Sequence, residues 1–189
     1  MKNTKTVIET TLVLIKPDGV IRKLVGEIIS RFERANLDIV GLGIVQPTYQ
    51  LIDRHYPKDK KWIENLGNNL IKTAEELKLK IDLQKDYGVK DIYSLGLQIR
   101  KWLIDFMTSG PIVKIALRGP QAVSVVRKLV GKTVPFMAEP GTIRGDFSID
   151  SPILANLEKR PIKNLVHASG NIDEAKKELR LWFKNKELL

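Results

Sequence analysis

The sequence predicts an α+β fold: a four-stranded antiparallel sheet with helices packed on it. Three observations carry this expectation. Four segments have strand character, helical periodicity fills the stretches between them, and the two alternate along the chain. At 189 residues the chain is read as a single domain over 1–189, long enough to bury a real core.

Thr11 to Ile15 is a continuous apolar, β-branched run, the signature of a buried central strand, and Lys16-Pro17-Asp18-Gly19 ends it. Leu24, Val25, Ile28, Ile29 and Phe32 then recur at helical spacing, which predicts an amphipathic helix over 21–36 with Asn36 near its C-cap. Residues 37–46 alternate as a second strand with Val40, Leu42 and Ile44 on one face, and Pro47 stops it. Thr48 is placed to N-cap a short helix running to His55 and Tyr56.

The stretch 58–109 reads as helical. Leu70, Ala74, Leu77 and Ile81 form one stripe, and Ile92, Leu95, Ile99, Trp102 and Phe106 form another, with Gly88 between them. Glu76 and Lys80 stand four apart as an ion pair on the open side. Pro111 to Leu117 is the third strand, and Gln121 to Val130 a helix with Val123, Val126 and Val130 inward. Gly131 to Phe147 is too rich in glycine and proline for a regular element and reads as a long ordered loop, a kind that usually carries function. Ile162 to His167 is the fourth strand and Ile172 to Lys186 the last helix. The order β-α-β-(α)-β-α-β-α is that of a ferredoxin-like split βαβ core with a helical insertion.

Composition limits the function classes. A chain 43% hydrophobic and 29% charged is ordinary for a globular protein. The absence of cysteine excludes disulfides and thiolate metal sites and fits a reducing, cytoplasmic setting. Met1 to Thr6 leads into Glu9 with no apolar core of a signal peptide, and no run reaches the ~18 apolar residues of a membrane span. A net charge of +10, spread along the chain, favours anionic partners such as nucleotides, with nucleic acid as a secondary possibility. No aromatic RNA-binding pair or dense basic block accompanies that charge.

Candidate chemistry gathers near the C-terminus. His167, one of two histidines, ends an apolar run, with Asn164 three residues before it and Ser169 two after. Imidazole is nucleophilic near neutral pH and forms a labile phosphoramidate, so such a histidine can pass a phosphoryl group in either direction; the plain alternative is a satisfied polar group at a strand end. Glu178 falls at the margin of the apolar stripe Ile172, Ala175, Leu179 and Trp182 at ~100° per residue, so it faces inward and needs donors. His167 and Ser169 are the natural ones; an ordinary surface glutamate paired with lysine is the other reading.

Arg144 sits between Gly141 and Gly145, which let the backbone turn and aim a guanidinium inward, a group suited to phosphate oxygens. It could instead pair with Asp146 and stiffen the loop. Lys16 is in phase with Leu12 and Leu14 and needs an anion, a carboxylate or a substrate phosphate. Arg127 and Thr133 flank the start of the same loop, and either could be a solvated surface residue.

With Lys16-Pro17-Asp18-Gly19, His55-Tyr56, Pro140 to Phe147 and Asn164 to Ser169 in this order, the chain resembles the nucleoside diphosphate kinases from about Thr11 to Leu188. The resemblance implies a ferredoxin-like fold, a homo-oligomer (hexamer or tetramer) and Mg²⁺. It also implies ping-pong transfer of the γ-phosphate of ATP or another nucleoside triphosphate to a nucleoside diphosphate. Carried over by motif, His167 is the phosphorylated residue, oriented by Ser169 and Glu178. Lys16, Tyr56, Arg127, Thr133, Arg144 and Asn164 match nucleotide-contacting positions, with Mg²⁺ held mainly by the phosphates and by no direct protein ligand.

Against the family pattern the chain carries a helical insertion at about 58–98 and a short one at about 151–160. The motif usually reads His-Gly-Ser-Asp; here it is His167-Ala168-Ser169-Gly170, which lacks a carboxylate that could order the metal's water shell. The aromatic residue that stacks on the base is unassigned among Trp62, Tyr93 and Trp102, with Ile99 at one counted position. The alternative implied by these departures is a catalytically weakened nucleotide-binding or scaffold protein of the same fold.

Overall fold

The computed structural model describes residues 7–76 and 78–189; Met1 to Thr6 and Leu77 lie outside the described residues. Four strands, β1 (Ile8–Ile15), β2 (Asp38–Val45), β3 (Ile112–Pro120) and β4 (Val166–Ala168), form one sheet in the order β2-β3-β1-β4. Every neighbouring pair is antiparallel, the split βαβ arrangement expected from the element order.

Both faces of the sheet are covered, which is why β1 reads as apolar without alternation. Val13 and Ile15 face Ile28 and Phe32 of α2 (Val25–Glu33) and Val126 of α7 (Ala122–Val130). Leu12 and Leu14 face the other way, toward Ile52 of α3 (Tyr49–His55), Ile104 and Met107 of α6 (Ile92–Thr108), and Leu179 and Trp182 of α10 (Ile172–Trp182). Thr48 caps α3 as expected, accepting from Leu51 N–H.

Several elements differ from expectation. The helix expected over 21–36 is two: α1 (Pro17–Ile21), started by Pro17, and α2, separated by Lys23 at φ 59°. In β2 a bulge between Ile39 and Gly41 resets the side-chain phase, so Val40 is buried while Leu42 and Ile44 are 54% and 75% exposed rather than sharing its face. The 58–109 stretch resolves into α4 (Lys60–Glu76), α5 (Leu83–Tyr87) and α6. Because α4 ends at Glu76, Lys80 lies past the helix and Glu76 approaches Lys72 instead, at 4.0 Å.

Helices α4 and α6 cross closely through Gly67 and Gly96. A Cβ at Gly67 would come 2.5 Å from the Ile92 carbonyl oxygen, and one at Gly96 would overlap that of Ile63. Gly96→Ala is therefore expected to force the pair apart and cost ~1–3 kcal/mol, read as a lowered melting temperature with the sheet intact by circular dichroism.

The loop expected over 131–147 contains a 3₁₀ turn (Pro135–Met137) and α8 (Ile143–Phe147), capped by Thr142 Oγ1 accepting from Gly145 N–H. Helix α9 (Pro152–Leu157) follows. The last helix stops at Trp182, and a 3₁₀ turn (Asn185–Glu187) completes what was expected as one helix to Lys186. No described helix is long and apolar enough to cross a membrane.

The fourth strand is the largest departure. Of the expected 162–167, only Val166 and His167 lie in β4, which adds Ala168. Before it Leu165 takes a left-handed conformation at φ 68°. Its N–H donates to the Asp18 carboxylate at 3.0 Å, and its carbonyl accepts from Lys16 N–H at 2.8 Å. The carbonyls of Asn164 and Val166 accept from the Arg144 guanidinium. Side chains have taken ladder bonds that a longer strand would need.

Candidate active site

Register places the imidazole. His167 pairs directly with Leu14, so it shares the sheet face of Leu14 and of Lys16, two residues on. On that face α10 runs past the end of β4, and the stripe geometry of this helix turns Glu178 inward. Glu178 Oε1 lies 2.8 Å from His167 Nε2, and Ser169 Oγ donates to Glu178 Oε2 at 2.6 Å. With Nε2 engaged by the carboxylate, Nδ1 is the nitrogen carrying the free lone pair. Burial, with Lys16 next, holds the His167 pKa down at about 3, so the ring is neutral at pH 7. Its side chain retains 19% exposure and lines an open cleft.

That cleft encloses about 1520 Å³, room for a nucleoside triphosphate with solvent. Lys16, Tyr56, Arg127, Thr133, Arg144, Asn164, His167 and Glu178 all line it. Ser169 does not; it is fully buried behind Glu178. Lys16 Nζ donates to Asn164 Oδ1 at 2.7 Å, and Asn164 Nδ2 donates to the Thr133 carbonyl at 2.8 Å. Among the described residues no carboxylate pairs with Lys16. Burial, and then Arg144, lower its pKa to about 8.

Arg144 is buried and held by three backbone carbonyls: Gly131 at 2.9 Å, Val166 at 2.8 Å and Asn164 at 3.2 Å. The alternative pairing with Asp146 is not what the structure contains. Asp146 accepts from Gly141 N–H and from Arg31. Burial and the nearby Arg127 lower the Arg144 pKa to about 10, which leaves it charged at neutral pH. Arg127 and Thr133 are exposed on the cleft wall.

Two residues to which the sequence reading gave no role in the site also belong to it. His55 stands edge-on to His167, ring centroids 4.6 Å apart at 83°, and its Nδ1 accepts from Trp182 Nε1–H at 3.3 Å. Burial, and then His167, push its pKa down to about 3, so it is a neutral wall that fixes the plane of the His167 ring. Its signal was present, as the only other histidine, at the end of a helix capped by Thr48. The second is Glu174, half-buried on the cleft wall one turn before Glu178. His55, His167 and Glu178 bring potential ligand atoms within 4.8 Å of one another, but Trp182, Ser169 and the His167–Glu178 contact already occupy those atoms.

Of the aromatic candidates, Trp62 and Trp102 line the cleft together with Ile99, and Tyr93 does not. Trp62 lies 5.9 Å from Tyr56 at 32°, closing one wall, while Trp102 leans on Tyr87 at 6.3 Å.

Comparison with known proteins bears on what this geometry belongs to. The profile of the family described as Nucleoside diphosphate kinase matches residues 9–75 and 64–188. A nucleoside diphosphate kinase of Pyrobaculum aerophilum is 50% identical over 182 residues, covering 96% of this chain and 98% of that one. Another, from Sulfurisphaera tokodaii, is 36% identical and covers 96% and 93%. The crystal structure of an NDP kinase from Pyrobaculum aerophilum superposes with a TM-score of 0.91 at 48% identity, over 96% of this chain and 99% of that one. A Borrelia burgdorferi nucleoside-diphosphate kinase, solved as a transition-state mimic with vanadate and ADP, gives 0.77 at 33% identity over 97% and 92%. With a family profile spanning nearly the whole sequence and close relatives matched end to end, the chain belongs to the nucleoside diphosphate kinase family.

Proposed function

We propose that this chain performs its family's reaction, exchange of the terminal phosphate between nucleoside tri- and diphosphates, through a phosphohistidine on His167. The observation that carries this is a neutral imidazole with one nitrogen on a buried carboxylate and the other free in a cation-lined cleft. The vanadate and ADP held by the Borrelia burgdorferi relative support a phosphoryl-transfer site in the same fold.

In the forward half-reaction Nδ1 of His167 attacks the γ-phosphorus of ATP. The N–P bond forms as the bond to the β,γ-bridging oxygen breaks, and the diphosphate leaves with that electron pair. Arg127, Thr133 and Arg144 face the phosphates, and the guanidinium charge matches that spreading over the equatorial oxygens. Glu178 balances the positive charge developing on the ring without a proton transfer. Lys16 and Asn164, tied to each other, orient the sugar, and Trp62 with Tyr56 forms the side wall for the base. A second diphosphate then enters and the step reverses.

The family uses a divalent metal, and Mg²⁺ is the ion proposed here. The donors fit it, since the cleft offers carboxylate oxygen from Glu174 and no thiolate. When bound, Mg²⁺ neutralises the β- and γ-phosphate oxygens.

An oligomer of identical subunits, a hexamer or tetramer, is supported by the edge strand β2, which presents Leu42 and Ile44 to solvent. Lack of cysteine supports a cytoplasmic location. Residues 58–98 and 151–160 are read as insertions in one domain. The weakened-scaffold alternative has less support, because the groups around His167 are all in place.

The test is incubation with ATP labelled on its γ-phosphate and Mg²⁺. The expected result is an acid-labile, base-stable phosphate on the protein that ADP or GDP discharges as triphosphate. An unlabelled wild-type chain would reject the proposal.

A further inference from the structure

Gly170 follows the buried Ser169 at the lip of the cleft. A Cβ built there would lie 2.7 Å from Glu174 Oε2 and 3.7 Å from Arg127 Nη1. The space a side chain at 170 would need is filled by the Glu174 carboxylate. Glycine at this position and glutamate one helical turn later are thus a matched pair.

The placement of that carboxylate calls for a cation. Glu174 and Glu178 are neighbours on one face of α10, four residues apart, and like charges at that spacing repel. Among the described residues no lysine or arginine makes an ion pair with Glu174; the Gly170 backbone N–H and the Arg127 guanidinium lie beside its carboxylate. Elsewhere the phosphate-binding wall is basic, with Lys16, Arg127 and Arg144. The Glu174 carboxylate, with Glu178 beside it, would repel a polyphosphate unless a cation stood between. A hard divalent ion bound by one carboxylate and substrate phosphates is the usual solution.

We propose that Glu174 supplies the protein's oxygen contact, direct or through one water, to the divalent ion that enters with the nucleotide, and that Gly170 is the residue that makes room for it. This rests on the phosphotransfer reading and deepens it. It also accounts for the missing acid after Ser169: the carboxylate is delivered from the helix instead of the strand end.

The experiment titrates Mn²⁺ into the complex of the full chain with ADP and follows free Mn²⁺ by electron paramagnetic resonance. Glu174→Ser and Glu174→Gln are each expected to weaken Mn²⁺ binding roughly tenfold, while metal-free ADP binds no more weakly than to the wild-type chain, since a charge that repels the phosphates is gone. Gly170→Asp added to Glu174→Ser should restore most of the loss by returning an acid to the same space. Unchanged Mn²⁺ affinity in both single variants would overturn the inference. So would a loss in Glu174→Ser alone with Glu174→Gln intact, because the group would then serve only as a neutral partner of Glu178. A double variant that folds yet binds no better than Glu174→Ser would also overturn the exchange of positions. Phosphorylation of the wild-type chain at saturating metal, run in parallel, separates these outcomes from failure of the phosphotransfer reading itself.

Discussion

His167→Ala is expected to lose the phosphoenzyme outright and to lower nucleotide exchange on the order of 10⁶-fold, the scale on which deletion of a covalent nucleophile acts. The cleft and its cations survive the substitution, so ADP should bind within a few-fold of wild type by calorimetry. This split matters more than the lost rate. A histidine that merely filled the end of β4 would leave exchange intact when trimmed, and one that only bound phosphate would weaken ADP in step with turnover. Glu178 sharpens the point. It holds Nε2 at 2.8 Å, so its replacement by alanine frees the ring to adopt either tautomer, and exchange should fall while ADP affinity does not.

Arg144→Ala is expected to injure the fold as well as the reaction. Three backbone carbonyls, on Gly131, Asn164 and Val166, lose a charged donor in a buried setting. Leaving such groups unsatisfied costs ~1–3 kcal/mol each before relaxation, so a net loss of about 3–5 kcal/mol is reasonable. At ~2–4 °C per kcal/mol for a chain of this size, the melting temperature should drop on the order of 10 °C. Exchange should fall further than ADP binding at temperatures where the variant is still folded. Arg144→Lys is expected to recover little, because one ammonium cannot span three carbonyls set in a planar fork. A variant with wild-type melting behaviour would show that the loop holds itself without the guanidinium.

Much of this was legible in the chain, and the reasons differ by element. The β1 run and its parity put Lys16 on the face of Leu12 and Leu14, and the structure has it there, in the cleft. The stripe of α10 was enough to turn Glu178 inward, because helical periodicity is a local property. Where the reading failed, a distant contact had overridden a local pattern. Residues 162–165 look like strand, yet Asp18 and Arg144, far away in sequence, take their backbone groups. The β2 alternation was broken by a bulge that no side chain announces. Glu174 was invisible for a similar reason, since its importance depends on what glycine leaves open four residues earlier.

The three-residue length of β4 has a consequence for robustness. One step of slippage against β1 would swing the imidazole to the opposite side of the sheet, among Ile28, Phe32 and Val126, where no nucleotide can reach it. So short a strand cannot police its own alignment. That task falls to Asp18, Lys16 and Arg144, which clamp the preceding residues from outside. Wear at those clamps would silence the molecule while its double-sided interior stayed whole, so competence is more fragile here than compactness.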